Sequence, residues 1–204
     1  MDHLRRHGRG SAVSAALVAL VVLLALPASA SAAAKPLGKG SITVRLDPFF
    51  ALLSGGYPMY PVAPATMHFG VPTTPALIVP VKGGSWDVAH DRGTFLVRGG
   101  IDFIHYTTGP LTLHQLTATA WHARVNQTTG WTAVANGSRM VVFDENFKAS
   151  HTSYLTVGGR KFVKVSNVTL TYDNAFATVF SNVFGATLGT TTPFGTATLL
   201  ARVK

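Results

Sequence analysis

The alternation of apolar and polar positions along the chain predicts a protein made mainly of β-strands. Ile42, Val44 and Leu46 alternate with polar residues, which is the two-residue period of a half-buried strand. Comparable segments follow along almost the whole chain. Strands are predicted at 41–46, 66–71, 76–81, 93–98, 101–106, 111–125, 131–135, 139–143, 151–157, 161–171 and 196–203.

Glycine pairs and one change of phase refine this pattern. Gly83-Gly84 predicts a turn, and Gly158-Gly159 between two apolar segments predicts a β-hairpin. The long segment 111–125 changes its apolar phase after Leu113, so we expect a bend or a bulge near its middle.

One segment near the C-terminus has the period of a helix instead. Asp173 is a natural N-cap residue and Gly185 stands where a helix-terminating glycine belongs. Between them, apolar residues recur every three or four positions: Phe176, Val179, Phe180, Val183 and Phe184. The sequence therefore predicts a mainly β protein, an antiparallel β-sandwich or barrel-like sheet with one short helix in its C-terminal half.

The first 32 residues have the pattern of a secretory signal peptide. A basic start precedes an apolar run at 12–26 and a small-residue stretch at 28–32. Cleavage is expected after Ala30 or Ala32. The apolar run is shorter than the roughly 20 residues that a bilayer-spanning helix needs, so we expect no transmembrane segment in the mature chain.

The rest of the chain is expected to be a short tether, 33–40, followed by a single β-rich domain, 41–204. With the leader removed, the domain is predicted to be secreted. No sorting signal of the L-P-x-T-G type, lipobox cysteine or apolar tail is found, so a free or loosely cell-wall-associated protein is expected.

Charge and cysteine content narrow the classes of function. The chain has 17 Lys+Arg and 8 Asp+Glu, and without the leader's three arginines and one aspartate the net charge is about +7. This excess favours anionic partners, among them an anionic cell-wall polymer. Nucleic acid is not expected, because the basic residues are scattered without aromatic residues between them. The absence of cysteine excludes thiol catalysis and cysteine-ligated metal centres.

No local pattern of catalytic residues is found. The only glutamate, Glu145, adjoins Asp144, and neighbours on a strand point to opposite faces, so they cannot act as a glycosidase pair. The segment 144–146 is instead predicted to be a polar turn. There is no G-x-S-x-G motif, and the histidines lack metal-ligand spacing. We expect a protein that is not an enzyme, with a secreted hydrolase as an alternative.

His105 and Tyr106 form the most informative pair. His105 shares a strand face with Phe103, and the pair ends its strand near an aromatic loop that contains Tyr57 and Tyr60. Imidazole and phenolate groups in such a place can ligate haem iron. The alternative is a core histidine whose ring is satisfied by a backbone carbonyl, with no cofactor.

Three motifs stand out along these strands: G-T-F-L-V-R-G-G-I-D-F-I-H-Y at 93–106, G-P-L-T-L at 109–113 and a late L-T-Y-D-N-A segment at 170–175. Through these motifs the stretch from Phe95 to Val125 resembles the HtaA-type haem-uptake module secreted by actinobacteria. It implies a β-rich exported fold that binds haem through a tyrosine from its N-terminal part and a nearby histidine. His105-Tyr106 stands in place of the family's glycine-histidine pair.

Two functions are therefore expected as alternatives. The first is an exported, non-enzymatic module that acts at the cell envelope by ligand binding or structural association. The second is a haem carrier of the HtaA-like type, with haem contacts from His105, Tyr106, Tyr57 and Tyr60.

Overall fold

The structure, a computed structural model, describes residues 34–47, 58–69, 74–90, 92–105, 109–121, 130–135 and 137–204. All of them belong to one compact unit that spans Ala32–Lys204. The described elements are β1 (Lys35–Leu46), β2 (Met59–Val62), β3 (Thr66–His68), β4 (Ala76–Asp87), β5 (Arg92–Val97), β6 (Gly100–His105), β7 (Gly109–Trp121), β8 (Gly130–Ala135), β9 (Ser138–Asn146), β10 (His151–Val157), β11 (Arg160–Tyr172), α1 (Asn174–Phe184) and β12 (Pro193–Val203).

The strands form a curled antiparallel sheet. The pairing order runs β7-β5-β4-β1-β12-β11-β9-β8, and β8 pairs in turn with β7, so these eight strands are connected in a ring. Strands β6 and β2 extend the sheet from β7, while β3 pairs with β4 and β10 with β11. The predicted mainly β, barrel-like fold with one short helix is confirmed for the described residues.

Two long hairpins account for much of this topology. Strands β5 and β6 pair with successive parts of β7 in the same direction, so they act as one strand interrupted at Arg98 and Gly99. Gly99 has a φ of 94°, and a Cβ there would lie 2.6 Å from the Val62 carbonyl oxygen. The residue therefore has to be glycine for β2 to approach β6. Strands β9 and β10 pair with β11 in the same interrupted manner.

The core lies on the inner face of the curled sheet. Alternate residues of the central strands are fully buried, as Ile42 and Val44 in β1 and Ala197 and Leu199 in β12 show. Helix α1 closes over this core with its aromatic side chains. Its buried rings join an aromatic cluster that contains Phe103, Phe143, Tyr172, Phe176, Phe180, Phe184 and Phe194.

The predicted ends of the helix are confirmed. The Asp173 side chain accepts a hydrogen bond of 2.7 Å from the Ala175 backbone N–H, and Gly185 ends the helix with a left-handed φ of 67°. The backbone N–H of Asp173 also donates to the Val142 carbonyl at 3.0 Å. This bond fixes the start of α1 against β9. Within the described ranges, no helix has the length and apolar character needed to cross a membrane.

Three local predictions are wrong. The expected tether is largely strand, because β1 begins at Lys35, which is paired with Trp86. The Gly83-Gly84 pair is not a turn, since β4 continues through it to Asp87 and the missing side chain of Gly84 lets β5 approach closely. The segment 144–146 is the end of strand β9 and not a polar turn.

Two other local predictions are confirmed. The Gly158-Gly159 pair joins β10 to β11 in a hairpin, with positive φ angles at both glycines. The long strand β7 has an irregularity between His114 and Thr117 in its pairing with β8, near the position where the apolar phase changes.

Candidate functional site

The backbone brings two of the predicted haem contacts onto neighbouring strands. Strand β2 pairs with β6, with Tyr60 opposite Asp102, and the Ile104 N–H donates to the Pro58 carbonyl at 3.0 Å. The start of β2 therefore lies beside the end of β6, where His105 is the last residue. This strand end, formed by 58–62 and 100–105, is the candidate site.

The side chains of the four predicted contacts are described only in part. Tyr60 is 51% exposed and shares a strand face with its partner Asp102. Phe103, next to Asp102, is only 1% exposed and belongs to the core face. Tyr57 and Tyr106 lie outside the described residues. For His105 the structure describes the backbone alone.

At this strand end the structure describes the side chain of one possible haem ligand, Tyr60. Phenolate and imidazole are both known axial ligands of haem iron, and the exposed Tyr60 places one phenol on β2. Asp102, opposite Tyr60, has a buried Oδ1 atom without a hydrogen-bond partner among the described residues. A polar atom of this kind is costly to bury unless a donor meets it. The strand pair thus presents both a phenol and an unsatisfied acceptor.

Glu145 is a second unusual group, because it is buried in the sheet and does not lie in the polar turn that the sequence predicts. Both carboxylate oxygens are buried and have no hydrogen-bond partner among the described residues. Burial raises the pKa of Glu145 to about 8, and the charge of Asp144 adds a smaller increase. The polar Trp131 indole acts in the other direction and lowers this pKa, although its position does not meet the geometry of a hydrogen bond. The signal in the sequence was the alternation of Glu145 with Phe143, which puts both residues on the inner face of β9.

The adjacent carboxylates do not form a catalytic pair. Asp144 is exposed on the outer side of β9, whereas the Glu145 oxygens are enclosed, as the alternation of a strand predicts. Partial desolvation of its carboxylate by the neighbouring residues raises the pKa of Asp144, and the charge of Asp173 raises it further. The two carboxyl groups therefore cannot act on one bond from facing positions.

A third polar group lies at the turn between β4 and β5. Asp87 accepts hydrogen bonds from the backbone N–H groups of Ala89 and His90 at 3.1 and 3.3 Å. Its carboxylate also contacts His90 Nδ1 at 2.7 Å and Arg92 Nε at 3.4 Å. The hydrogen bond with His90 is the main reason why the pKa of Asp87 is lowered. This arrangement stabilises the turn.

The described part of the chain contains no group of three His, Asp or Glu side chains arranged to hold a metal ion. It does contain a groove of about 730 Å³ on the outer face of β1, β12 and β11. Arg45, Lys164 and a row of threonines line this groove. The sequence interpretation missed it, because its lining comes from strands that are far apart along the chain.

Comparison with solved structures relates the fold to a known domain. The structure is similar to the crystal structure of the C-terminal domain of HtaA from Corynebacterium glutamicum, with a TM-score of 0.55 and 13% sequence identity. The match covers 83% of this chain and 99% of that domain. No protein-family model matches the chain, and no curated protein matches it either. The chain therefore shares the fold of an HtaA domain, which is the resemblance that its strand motif indicates.

Proposed function

We propose that the chain is a non-enzymatic ligand-binding module of the cell envelope and that its ligand is haem. The observation that carries this proposal is the likeness to the HtaA C-terminal domain over 99% of that domain's length. The HtaA-like motif of the sequence falls on β5, β6 and the start of β7. The signal-peptide pattern of the first 32 residues supports an exported location.

The candidate site at the end of β2 and β6 is where haem would be held. Bound haem supplies an iron atom with axial positions for protein ligands, and its polarity and enclosure are set by the surrounding residues. On this chain the donors are the His105 imidazole and the phenols of Tyr57, Tyr60 and Tyr106. The pairing of β2 with β6 supports this place, because it brings the strands that carry Tyr60 and His105 side by side.

The strand rows in which Tyr60 and His105 lie distinguish these two candidate ligands. Tyr60 lies in the same row as Asp102, whereas position 105 alternates in phase with Phe103 of the core face. Tyr60 and residue 105 thus stand in opposite rows, so we do not expect them to ligate the iron together. We expect His105 to be required for haem binding, because it lies at the end of the motif that resembles the HtaA family, and Tyr60 to contribute less.

The experiment is a titration of the purified protein with haemin, followed through the Soret absorption band. We expect a shifted, sharpened band that saturates at one haem per protein, and a weaker or altered band in His105→Ala. The matched control is His151→Ala on strand β10, which changes an exposed histidine away from the candidate site.

Salt separates specific binding from attraction to the basic surface. Ionic strength of about 1 M reduces the screening length to roughly 3 Å and weakens adsorption of the haem propionates to exposed lysines and arginines. Haem held by an axial ligand is expected to remain bound. A titration that does not saturate, or one that His105→Ala and His151→Ala change equally, would contradict the proposal.

A further inference from the structure

The groove on the outer face of β1, β12 and β11 has features that the proposed haem site does not use. Four of the residues that line it, Thr43 and Arg45 of β1 and Thr196 and Thr198 of β12, alternate with buried core residues, so their side chains point outward. The strand register places Thr43 beside Thr198 and Arg45 beside Thr196. Three hydroxyl groups and one guanidinium group therefore stand side by side on two strands.

A β-bulge in β11 forms the far wall of the groove. Val165 pairs with Leu199 and Val168 pairs with Ala197, so two residues of β11 lie opposite Thr198 alone. These two residues are Ser166 and Asn167, and both line the groove. The backbone at Asn167 is left-handed, with a φ of 59°, a conformation that asparagine adopts more readily than most residues.

The charges of the groove are mainly positive. Arg45 of β1 lies opposite Thr196 of β12, and Lys164 of β11 lies opposite Leu200 of the same strand. The two residues are therefore two strands apart across the sheet and four residues apart along it, a separation of roughly 16 Å between their backbones. His90 and Arg92 pair with Asp87 at another place in the sheet. Asp47, at the end of β1, is the one carboxylate among the lining residues. Two cations with a row of hydroxyls between them suit a ligand with separated anionic groups.

The shape and lining of the groove restrict the class of ligand further. Its volume of about 730 Å³ lies within the range of roughly 300–1,000 Å³ that is usual for ligand sites. None of the described residues that line it is aromatic. Proteins bind single-stranded nucleic acids by stacking the bases on aromatic rings, and the described lining contains no such ring.

We propose that this groove binds a hydroxyl-rich chain that carries phosphate or carboxylate groups. The Arg45 guanidinium and the Lys164 ammonium each bind one anionic group, and arginine does so with two parallel hydrogen bonds. Thr43, Thr196, Thr198 and the Asn167 amide exchange hydrogen bonds with the hydroxyl groups between them. The proposal does not depend on haem binding.

The test is isothermal titration calorimetry of the purified protein with four polymers of similar length. A glycerol-phosphate polymer presents phosphate and polygalacturonate presents carboxylate, so these two distinguish the sources of negative charge. Dextran is the uncharged comparison and single-stranded RNA the nucleic acid comparison. We expect saturable binding of at least one of the first two, with weaker binding of dextran and RNA.

Matched variants assign the binding to the groove. Arg45→Gln combined with Lys164→Gln is expected to weaken binding by about tenfold or more. The control is Lys82→Gln combined with Arg160→Gln, which removes the same charge from residues outside the groove and should change the affinity by less than about twofold. Asn167→Gly keeps a residue that accepts the left-handed backbone and should also weaken binding. Asp47→Asn should strengthen it.

Several results would overturn the proposal. They are failure of both anionic polymers to bind saturably, equal binding of dextran or RNA, and equal losses in the groove pair and the control pair. Equal losses would assign the binding to the general positive charge of the surface. Unchanged melting temperatures of the variants are required, so that a loss of binding reports the groove and not unfolding.

Discussion

At the scale of single residues, the buried carboxyl group of Glu145 gives the stability of the domain a defined pH dependence. The pKa of Glu145 is about 8 in the folded chain, against an ordinary value of 4.5. Between these values the unfolded chain loses the proton and the folded chain keeps it. The free energy of unfolding therefore falls as the pH rises from about 4.5 to about 8, by up to about 1.4 kcal/mol per pH unit. Besides burial, the groups that shift the pKa of this carboxyl are the Trp131 indole, which lowers it, and Asp144, which raises it. Asp173 in turn raises the pKa of Asp144.

Glu145→Gln removes this ionisation while keeping the shape of the side chain. We expect the variant to be more stable than the wild type at pH 8, and its free energy of unfolding to vary little between pH 5 and 8. Urea unfolding curves at several pH values measure both effects. Asp144→Asn is the control, because Asp144 is exposed and should leave most of the dependence in place. A wild type and Glu145→Gln with the same pH profile would show that Glu145 is ionised in the folded protein.

The same residue shows what the sequence could and could not predict at this scale. Strand alternation correctly places Asp144 and Glu145 on opposite faces. The polar run of Asp144, Glu145 and Asn146 was nevertheless interpreted as a turn. Pairing of Glu145 with Leu170 on β11 keeps this segment in the sheet, and that partner lies 25 residues further along the chain. A local pattern does not contain this information.

At the scale of elements, helix α1 is defined by its own sequence and held by aromatic contacts. Its cap residues and its apolar period were both recognisable before the fold was known, because each depends on neighbours within a few turns. The ring of Phe180 meets Phe103 of β6 edge-on at 5.6 Å, and Phe176 contacts Phe143 of β9 at 6.4 Å. The helix thus packs its aromatic rings against both β6, which carries the candidate site, and β9.

Phe180→Ala tests this role of the helix. The side chain is almost fully buried, so its truncation should cost roughly 3–5 kcal/mol, a large share of a typical stability of about 5–15 kcal/mol. Thermal unfolding, monitored by circular dichroism, measures this loss of stability as a lower melting temperature. The control is Asn182→Ala at an exposed position of the same helix, which should have little effect. An unchanged melting temperature for Phe180→Ala would contradict the packing of α1 on β6.

Glycine pairs illustrate why strand boundaries were harder to predict than the helix. Gly158-Gly159 forms a hairpin turn, whereas Gly83-Gly84 lies inside β4. Both pairs lack side chains. At Gly84 in β4, however, the backbone of the neighbouring strand β5 occupies the space that a side chain would need. The choice between a turn and a close approach depends on a strand from elsewhere in the chain, so the local sequence does not decide it.

At the scale of the whole molecule, a barrel-like sheet was predictable but the order of its strands was not. The first strand, β1, lies between β12 and β4, and its partner β12 comes from the opposite end of the domain. The HtaA-like motif indicated the fold because it falls on consecutive elements, β5, β6 and the start of β7. The groove was not predictable, since only the pairing of β1, β12 and β11 brings Arg45 and Lys164 to the same face of the sheet.

The central claim is that haem binds at the end of β2 and β6. Hydrogen–deuterium exchange with and without one equivalent of haemin tests it most directly, because it reports both binding and its place. We expect slower amide exchange in peptides that contain 59–62 and 100–105, and unchanged exchange in the groove segments 164–169 and 195–198. Protection confined to the groove segments, or no protection at the end of β2 and β6, would contradict the claim.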